Sequence, residues 1–448
     1  MKTKEKGFYK TFFSMYFVLV FQNVISLSVN LADNIMLGAY SENALSGVAA
    51  VNQIQFVYQQ LLMASGDGMV IFCSQYWGQN KTGPIKKIAA VSMHTALAIG
   101  AVLFLAVSLF PYKAVGLFTE DQAIIEEGVR YLAIIRFTYF FFAVTTILLA
   151  TLRSVEIVRI AFYLSLTTLA INCCINYILI YGKFGAPRLG AEGAAIGTLA
   201  ARITECVIAV IYVAKKEPHL HLRLKDYMTT DRMLAKDYFK VSLPMFLVQG
   251  LWGLNTALQT VILGHMTAGA IAANSAASNL FLMVKFTASG AASAASVMIG
   301  KAIGRGNMDV VTNYARRMQK IFVIIGICSG ILLFFLRIPI LSLYELAPET
   351  RQMADHFLII LSIVCVTMSY QMPTNNGIIR GGGSAMFVVK MDLISIWGIV
   401  IPLSLAMAFI IKASPEVVVC CLNADQVFKC LPAFFKVNCG KWVKKLTR

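Results

Sequence analysis

The chain has 448 residues, 58% of them hydrophobic and only 14% charged, with a mean hydropathy of +0.71. A soluble domain is nearer 45–50% apolar and about 25% charged, so composition excludes an ordinary soluble globular protein. The formal net charge of +17 is read as topogenic, because polytopic membrane proteins keep Lys and Arg on one side; no nucleic-acid partner is expected.

Taken in order, the apolar runs predict twelve spans, at 11–37, 44–77, 87–111, 124–152, 158–181, 191–214, 238–264, 269–299, 318–341, 352–379, 388–411 and 416–436. Each is long enough to cross a bilayer as a helix. The runs are continuous rather than alternating, which argues against a barrel. The opening "MKTKEKGFYK" is followed by an apolar run too long for a cleavable signal. The one long polar connection, 215–237, is charged and contains Pro218. It divides the chain into an N-lobe (1–214), a cytoplasmic linker (215–237) and a C-lobe (238–448). Lys2, Lys4, Lys6, Lys10, Lys81, Lys86 and Lys87 then share one side with the linker, while Lys113, Lys183, Arg188, Arg337, Arg351 and Lys412 face the other. The positive-inside rule makes the first side cytoplasmic, so both termini are expected there, in the cell (inner or plasma) membrane.

The halves repeat each other. "LGAYSENALSGVAA" from Leu37 matches "LGHMTAGAIAANSA" from Leu263, and at the same offset Gly78 meets Gly304. Six spans per half give both halves one orientation, so the expected fold is all-α and polytopic. It has two six-helix lobes related by a pseudo-two-fold axis along the membrane normal, with sites near the midplane.

Polar residues recur at helical spacing inside four of these spans. The first carries Gln22, Ser26, Asn30 and Asp33; the second Asn52, Phe56, Gln59, Met63 and Asp67. The seventh adds Gln249, Trp252, Asn255 and Gln259, and the eighth Asn274, Ser278 and Lys285. These stripes are read as the lining of a wet substrate cleft, with interhelical hydrogen-bonding as the alternative. Charges at membrane depth are costly and are expected to be paired, wet or neutralised. Arg202 and Glu205 can pair on one face, structurally or in coupling; Asp425 and Lys429 form an i,i+4 pair; Lys285 could answer Asp392 or an anionic group, and spacing does not pair it with either. Asp67, between two glycines, lies near the midplane, and Asp33 has no basic neighbour within four positions of its helix.

Other chemistry is thin. There is no GxxxxGK[ST] loop, HExxH or GxSxG, and His219 with His221 makes a weak metal signal. No metal, no cofactor and no enzymatic activity are expected; the expected partners are a small-molecule substrate and membrane lipid, with the chain monomeric.

Several motifs in order carry a family resemblance: "NLADNIMLG", "SQYWGQN", "LRS", "INCCINYILIYG" and "GAEGAAIGT". With the repeat, the chain resembles the multidrug and toxic compound extrusion (MATE) family over essentially its whole length. The resemblance implies two lobes around a V-shaped cleft and cation-coupled antiport of amphipathic, often cationic compounds. It also implies a cation site at Asp33, Asn172, Asn176 and Thr198; Asp67, by its place near the midplane, is the reserve candidate for coupling. Two departures, Asn176 where the family often has Asp and Gln249 where some branches have an acid, remove negative charge and favour H+ over Na+. A flippase for lipid-linked oligosaccharides is the alternative within the superfamily.

Overall fold

In a computed structural model, which describes residues 2–217, 220, 222, 224–264, 266, 268–342 and 347–447, every regular element is a helix. Pro218, His219, His221, His265 and Thr267 lie outside the described residues. The long helices are α1 (Lys2–Gly38), α2 (Glu42–Gly78), α3 (Thr82–Leu109), α4 (in two segments, Gln122–Ile135 and Thr138–Ser154), α5 (Arg159–Tyr181) and α6 (Ala191–Lys215). Then follow α7 (Arg232–Gly264), α8 (Ala268–Gly304), α9 (Met308–Leu341), α10 (Pro348–Ile379), α11 (Ala385–Ile410) and α12 (Pro415–Asn438). The protein is thus an all-α polytopic membrane protein. Among the described residues nine helices are long and apolar enough to cross a membrane, and the two segments of α4 together make a tenth. Helix α2, whose glutamines lower its hydropathy, and the described part of α7 fall outside that set.

Local chemistry explains the ends and breaks. The Asp121 carboxylate accepts from the Ala123 and Ile124 amides, capping α4. Gly182, at φ +67°, ends α5 in the left-handed conformation that glycine adopts without strain. The two segments of α4 are bent by 54°. Arg136 stands at that break, its guanidinium 5.6 and 5.3 Å from the ring centres of Phe104 and Phe137. A basic residue inside an apolar span is thereby sheltered by aromatic faces. Pro373, which has no amide hydrogen, opens a π-helical stretch to Ile379 in α10.

The helices form two compact units. One comprises Met1–Val20, Ser74–Gln79 and Leu247–Arg448. In it the α1 aromatics Phe8 and Phe12 pack on Tyr314 and Phe322 of α9. The repeat-related glycines Gly78 and Gly304 touch: a Cβ on Gly304 would collide with the Gln75 carbonyl, and one on Gly78 with that of Lys301. Small residues let two helix backbones approach in this way. Gly304→Val is therefore expected to cost about 1–3 kcal/mol, read as a lower thermal-unfolding midpoint in detergent. An unchanged midpoint would mean the helices part without loss. The segment after α12 lies along the same unit. Buried Trp442 accepts from Ser384 Oγ through its carbonyl (2.7 Å), and the Lys444 amide donates to the Gly382 carbonyl (2.7 Å).

The other unit comprises Phe21–Cys73 and Asn80–Phe246. Its core includes a buried hydroxyl cluster, with Ser65 Oγ 2.7 Å from Tyr238 Oη and 3.0 Å from Ser92 Oγ. The connection before α7 is tied to α3 by Lys86–Asp226 (3.1 Å) and Lys87–Asp231 (3.2 Å). Lys87 and the amides of Met233 and Leu234 hold the Asp231 carboxyl below the usual carboxylate range.

Candidate functional site

The second unit contains a cavity open to solvent, about 650 Å³ with its open mouth included, lined by α1, α2, α4, α5 and α6. The 3.6-residue period puts Asn30 and Asp33 on the face of α1 that lines it, and Asn52, Gln55 and Gln59 do the same from α2. From α4 come Tyr131, Thr138, Tyr139 and Phe142, which straddle the bend.

Asp33 is the acid of this cavity, and it is joined to a directed relay of amides. Asn172 and Asn176 are fully buried and sit one turn apart on α5. Asn176 Nδ2 donates to Asp33 Oδ1 at 2.6 Å and to Asn172 Oδ1 at 3.2 Å. Asn172 Nδ2 donates in turn to Thr198 Oγ1 on α6 at 3.1 Å. Buried amides need partners, and here each finds one on a neighbouring turn or helix. One donor, Asn176 Nδ2, therefore points at the carboxylate, and the other two bonds lead away from it toward Thr198. One turn beyond Thr198, Arg202 also lines the cavity. Its Nη1 pairs with buried Glu205 at 2.8 Å, and its guanidinium lies 4.6 Å from the Phe142 ring centre.

The structure thus brings together Asp33, Asn172, Asn176 and Thr198, with Asn30, Gln59 and Arg202 on the same cavity. It does not bring Asp67 there. That carboxylate instead accepts from Arg153 of α4 at 2.7 Å, and it does not line the cavity. Phe56 and Met63 are exposed on α2 and do not line it either.

The remaining expected cleft residues belong to the other unit. Asn255 is buried, and its Oδ1 has no hydrogen-bond partner among the described residues. Asn274 Oδ1 accepts from Ser278 at 3.4 Å; Gln249 and Gln259 are half-buried. The partner of Lys285, left open between Asp392 and an anionic group, is an aromatic face. Lys285 Nζ lies 4.3 Å from the ring centre of Trp252, while Asp392 is taken by Lys429 at 2.8 Å. Lys429 also pairs with Asp425 at 2.9 Å.

Tyr131, Tyr139 and Phe142 were not legible as site residues. They sit in an apolar, aromatic-rich run, and only the 54° bend beside Thr138 aims them at the cavity. The basic Arg136 inside that run was the one available signal of a break.

The MatE family model matches residues 19–178 and 244–406. The chain belongs to the MatE family. As a MatE member it is a membrane transporter, and the likeness seen in "NLADNIMLG" and the motifs after it is borne out. The probable multidrug resistance protein NorM of Thermotoga maritima is 25% identical over 432 residues, covering 95% of this chain and 92% of that protein. The uncharacterized transporter YisQ of Bacillus subtilis is 25% identical over 403 residues, covering 88% and 87%. Among solved structures, MATE in the bent conformation matches with a TM-score of 0.85 at 15% identity, over 96% of this chain and 95% of that one. A MOP superfamily transporter from Pyrococcus furiosus, described as having a binding pocket of reverse polarity, matches equally well, with a TM-score of 0.85 at 15% identity and the same coverage of both chains. These similarities establish the fold of the MatE transporter.

If Gln59 of this MatE transporter reads a substrate, Gln59→Leu should shift the spectrum of compounds exported by severalfold and leave protein abundance unchanged. An unaltered spectrum would make Gln59 interhelical glue.

Proposed function

We propose that this MatE transporter is a proton-coupled antiporter of the plasma membrane that exports amphipathic, cationic small molecules by alternating access. It works as a monomer with both termini cytoplasmic. The observation that carries the reading is Asp33, the one carboxylate lining the cavity among the described residues, held by the Asn176–Asn172–Thr198 relay. An ionised Asp33 attracts an organic cation; a protonated one does not. Aromatic faces beside it, Tyr131, Tyr139 and Phe142, suit the apolar body of such a molecule and stabilise its charge. Proton and substrate then compete for one group, which is the requirement for exchange. A proton biases the conformational equilibrium only if it binds one state better than the other. The Asn176 donor gives such a difference a place to arise, because it favours the ionised carboxylate and a lobe movement that separates α1 from α5 would remove it. The membrane potential supplies roughly 2.3 kcal/mol per charge per 100 mV, so one coupled proton is a useful drive.

The test is efflux of a fluorescent organic cation from proteoliposomes, first under an imposed pH gradient and then under an imposed Na+ gradient. Expected is efflux with the pH gradient alone. Efflux driven by Na+ alone would reject proton coupling, and no efflux with either would reject antiport of cations. Arg202 on the cavity wall favours a second reading, a flippase whose basic side chain meets a lipid pyrophosphate. Movement of a lipid-linked anionic headgroup without any gradient would establish it.

The topology has its own check. A single Cys placed at Gly185, in a Cys-depleted chain, should react in intact cells with a membrane-impermeant thiol reagent. One placed at Lys225 should react only after permeabilisation. Equal labelling of both would reject cytoplasmic placement of the linker.

A further inference from the structure

We infer that Arg202 selects the coupling ion of this transporter: its guanidinium occupies the place of a metal cation in the Asp33 cavity, so the site takes a proton and rejects Na+. The inference rests on the antiport reading and adds a residue that decides the ion.

A hard metal cation is held by several oxygens at once, and the oxygens around Asp33 are already engaged. Asn172 Oδ1 accepts from Asn176, and Thr198 Oγ1 accepts from Asn172. Asn176 Oδ1 is turned onto the backbone of Gly197, where a Cβ would collide with it. It is buried there with no hydrogen-bond partner among the described residues. What faces Asp33 from Asn176 is therefore an amide nitrogen, which repels a cation. The carboxylate alone remains as a full ligand. One carboxylate with a hydroxyl beside it holds Na+ only weakly, so the fixed charge of Arg202 decides whether the ion binds at all, whereas a proton needs a single lone pair.

Charge leads to the same conclusion. Arg202 lines the cavity and its partner Glu205 does not. The pair is neutral as a whole, but it is oriented with the positive end toward Asp33 and the negative end behind. Stacking on Phe142 fixes that orientation. The other titratable groups on the cavity wall, Tyr58, Tyr131 and Tyr139, are neutral phenols, and Cys173 of α5 adds no charge as a thiol. The formal charge of the wall is thus zero with Asp33 ionised. A Na+ entering would make it positive in a low-dielectric site, and a small hard ion cannot spread that charge over the faces of Tyr131, Tyr139 and Phe142 as an organic cation does. A proton makes the same change in charge, but it does so inside a covalent bond to Asp33 and needs no coordination shell. When it leaves, the guanidinium faces the carboxylate that remains.

The experiment is direct binding of radioactive Na+ to the purified full chain in detergent, by scintillation proximity. The comparison covers wild type, Arg202→Met, Arg202→Lys and Arg202→Met combined with Asp33→Asn. Wild type and Arg202→Lys should show no saturable binding. Arg202→Met should bind Na+ at least tenfold more tightly than any limit set for wild type, and adding Asp33→Asn should remove that binding. Saturable Na+ binding by wild type that Asp33→Asn abolishes would overturn the inference. So would a monodisperse Arg202→Met chain that binds none. If the unpaired Glu205 prevents folding, Arg202→Met with Glu205→Gln takes its place with the same expected result. Binding is read without transport. Failure of pH-driven efflux therefore rejects the antiport reading by itself, and Na+ binding by wild type rejects the role of Arg202 by itself.

Discussion

Asp33→Asn is expected to abolish pH-gradient-driven efflux, by at least a hundredfold, while the protein folds and binds its cationic substrate in detergent more weakly and without dependence on pH. The carboxylate accepts from Asn176 through Oδ1 at 2.6 Å, and an amide oxygen in the same place can still accept that bond, more weakly. The Asn176–Asn172–Thr198 relay therefore survives the substitution. What is lost is titration. A side chain that binds no proton gives the gradient nothing to act on, and a ligand with equal affinity for two states shifts neither. Asp67→Asn should be much milder for coupling, because that carboxylate pairs with Arg153 away from the cavity. Its effect should be a modest loss of stability. Efflux and substrate binding measured side by side separate the outcomes. Wild-type efflux from Asp33→Asn would make Asp33 structural and move the coupling site elsewhere.

How much of this arrangement was legible depended on whether a feature was local. The stripe that ends at Asp33 repeats every three or four residues within one helix, so its face could be read directly. So could the Arg202–Glu205 and Asp425–Lys429 pairs, which close within one turn. The contacts that make a site of these residues are not local. Asp33 meets Asn176 across 143 positions, and Asp67 meets Arg153 across 86. Nothing in helical periodicity selects those partners among the many polar residues in the spans. For Asn172, Asn176 and Thr198 the family resemblance supplied the pairing that spacing could not. Lys285 shows the opposite outcome. Charge alone suggested Asp392, but Lys429 holds that carboxylate and an indole face takes the lysine. Cation–π partners carry no charge and leave no mark in a charge-based reading. The α4 wall was missed for a different reason: a 54° bend between apolar segments changes which face of the helix meets the cavity.

Lys429→Met is expected to be the most damaging single change in the unit that contains α8 to α12. Lys429 Nζ bridges Asp392 at 2.8 Å and Asp425 at 2.9 Å, and its side chain is only 5% exposed. A line of amides leads to the same place. Gln426 Nε2 donates to Asp425 at 2.8 Å, Gln371 Nε2 to Gln426 at 2.6 Å, and Asn375 Nδ2 to Gln371 at 3.0 Å. Each donor is oriented by the negative charge at its end, so the network links α10 to α12 only while Asp425 is balanced. Methionine matches the volume of the lysine stem and removes its charge, leaving two carboxylates side by side at membrane depth. Breaking a buried ion pair from one side costs about 3–5 kcal/mol, a large share of the roughly 5–15 kcal/mol that holds a typical domain together. The expected result is a sharp fall in the yield of monodisperse protein and in its thermal midpoint. Replacing all three charges, as Lys429→Met with Asp392→Asn and Asp425→Asn, should recover most of that loss, because neutral amides can continue the line from Gln426. A triple variant no more stable than Lys429→Met would show that the damage comes from lost packing of the lysine stem. A Lys429→Met chain as stable as wild type would show that water reaches the two carboxylates.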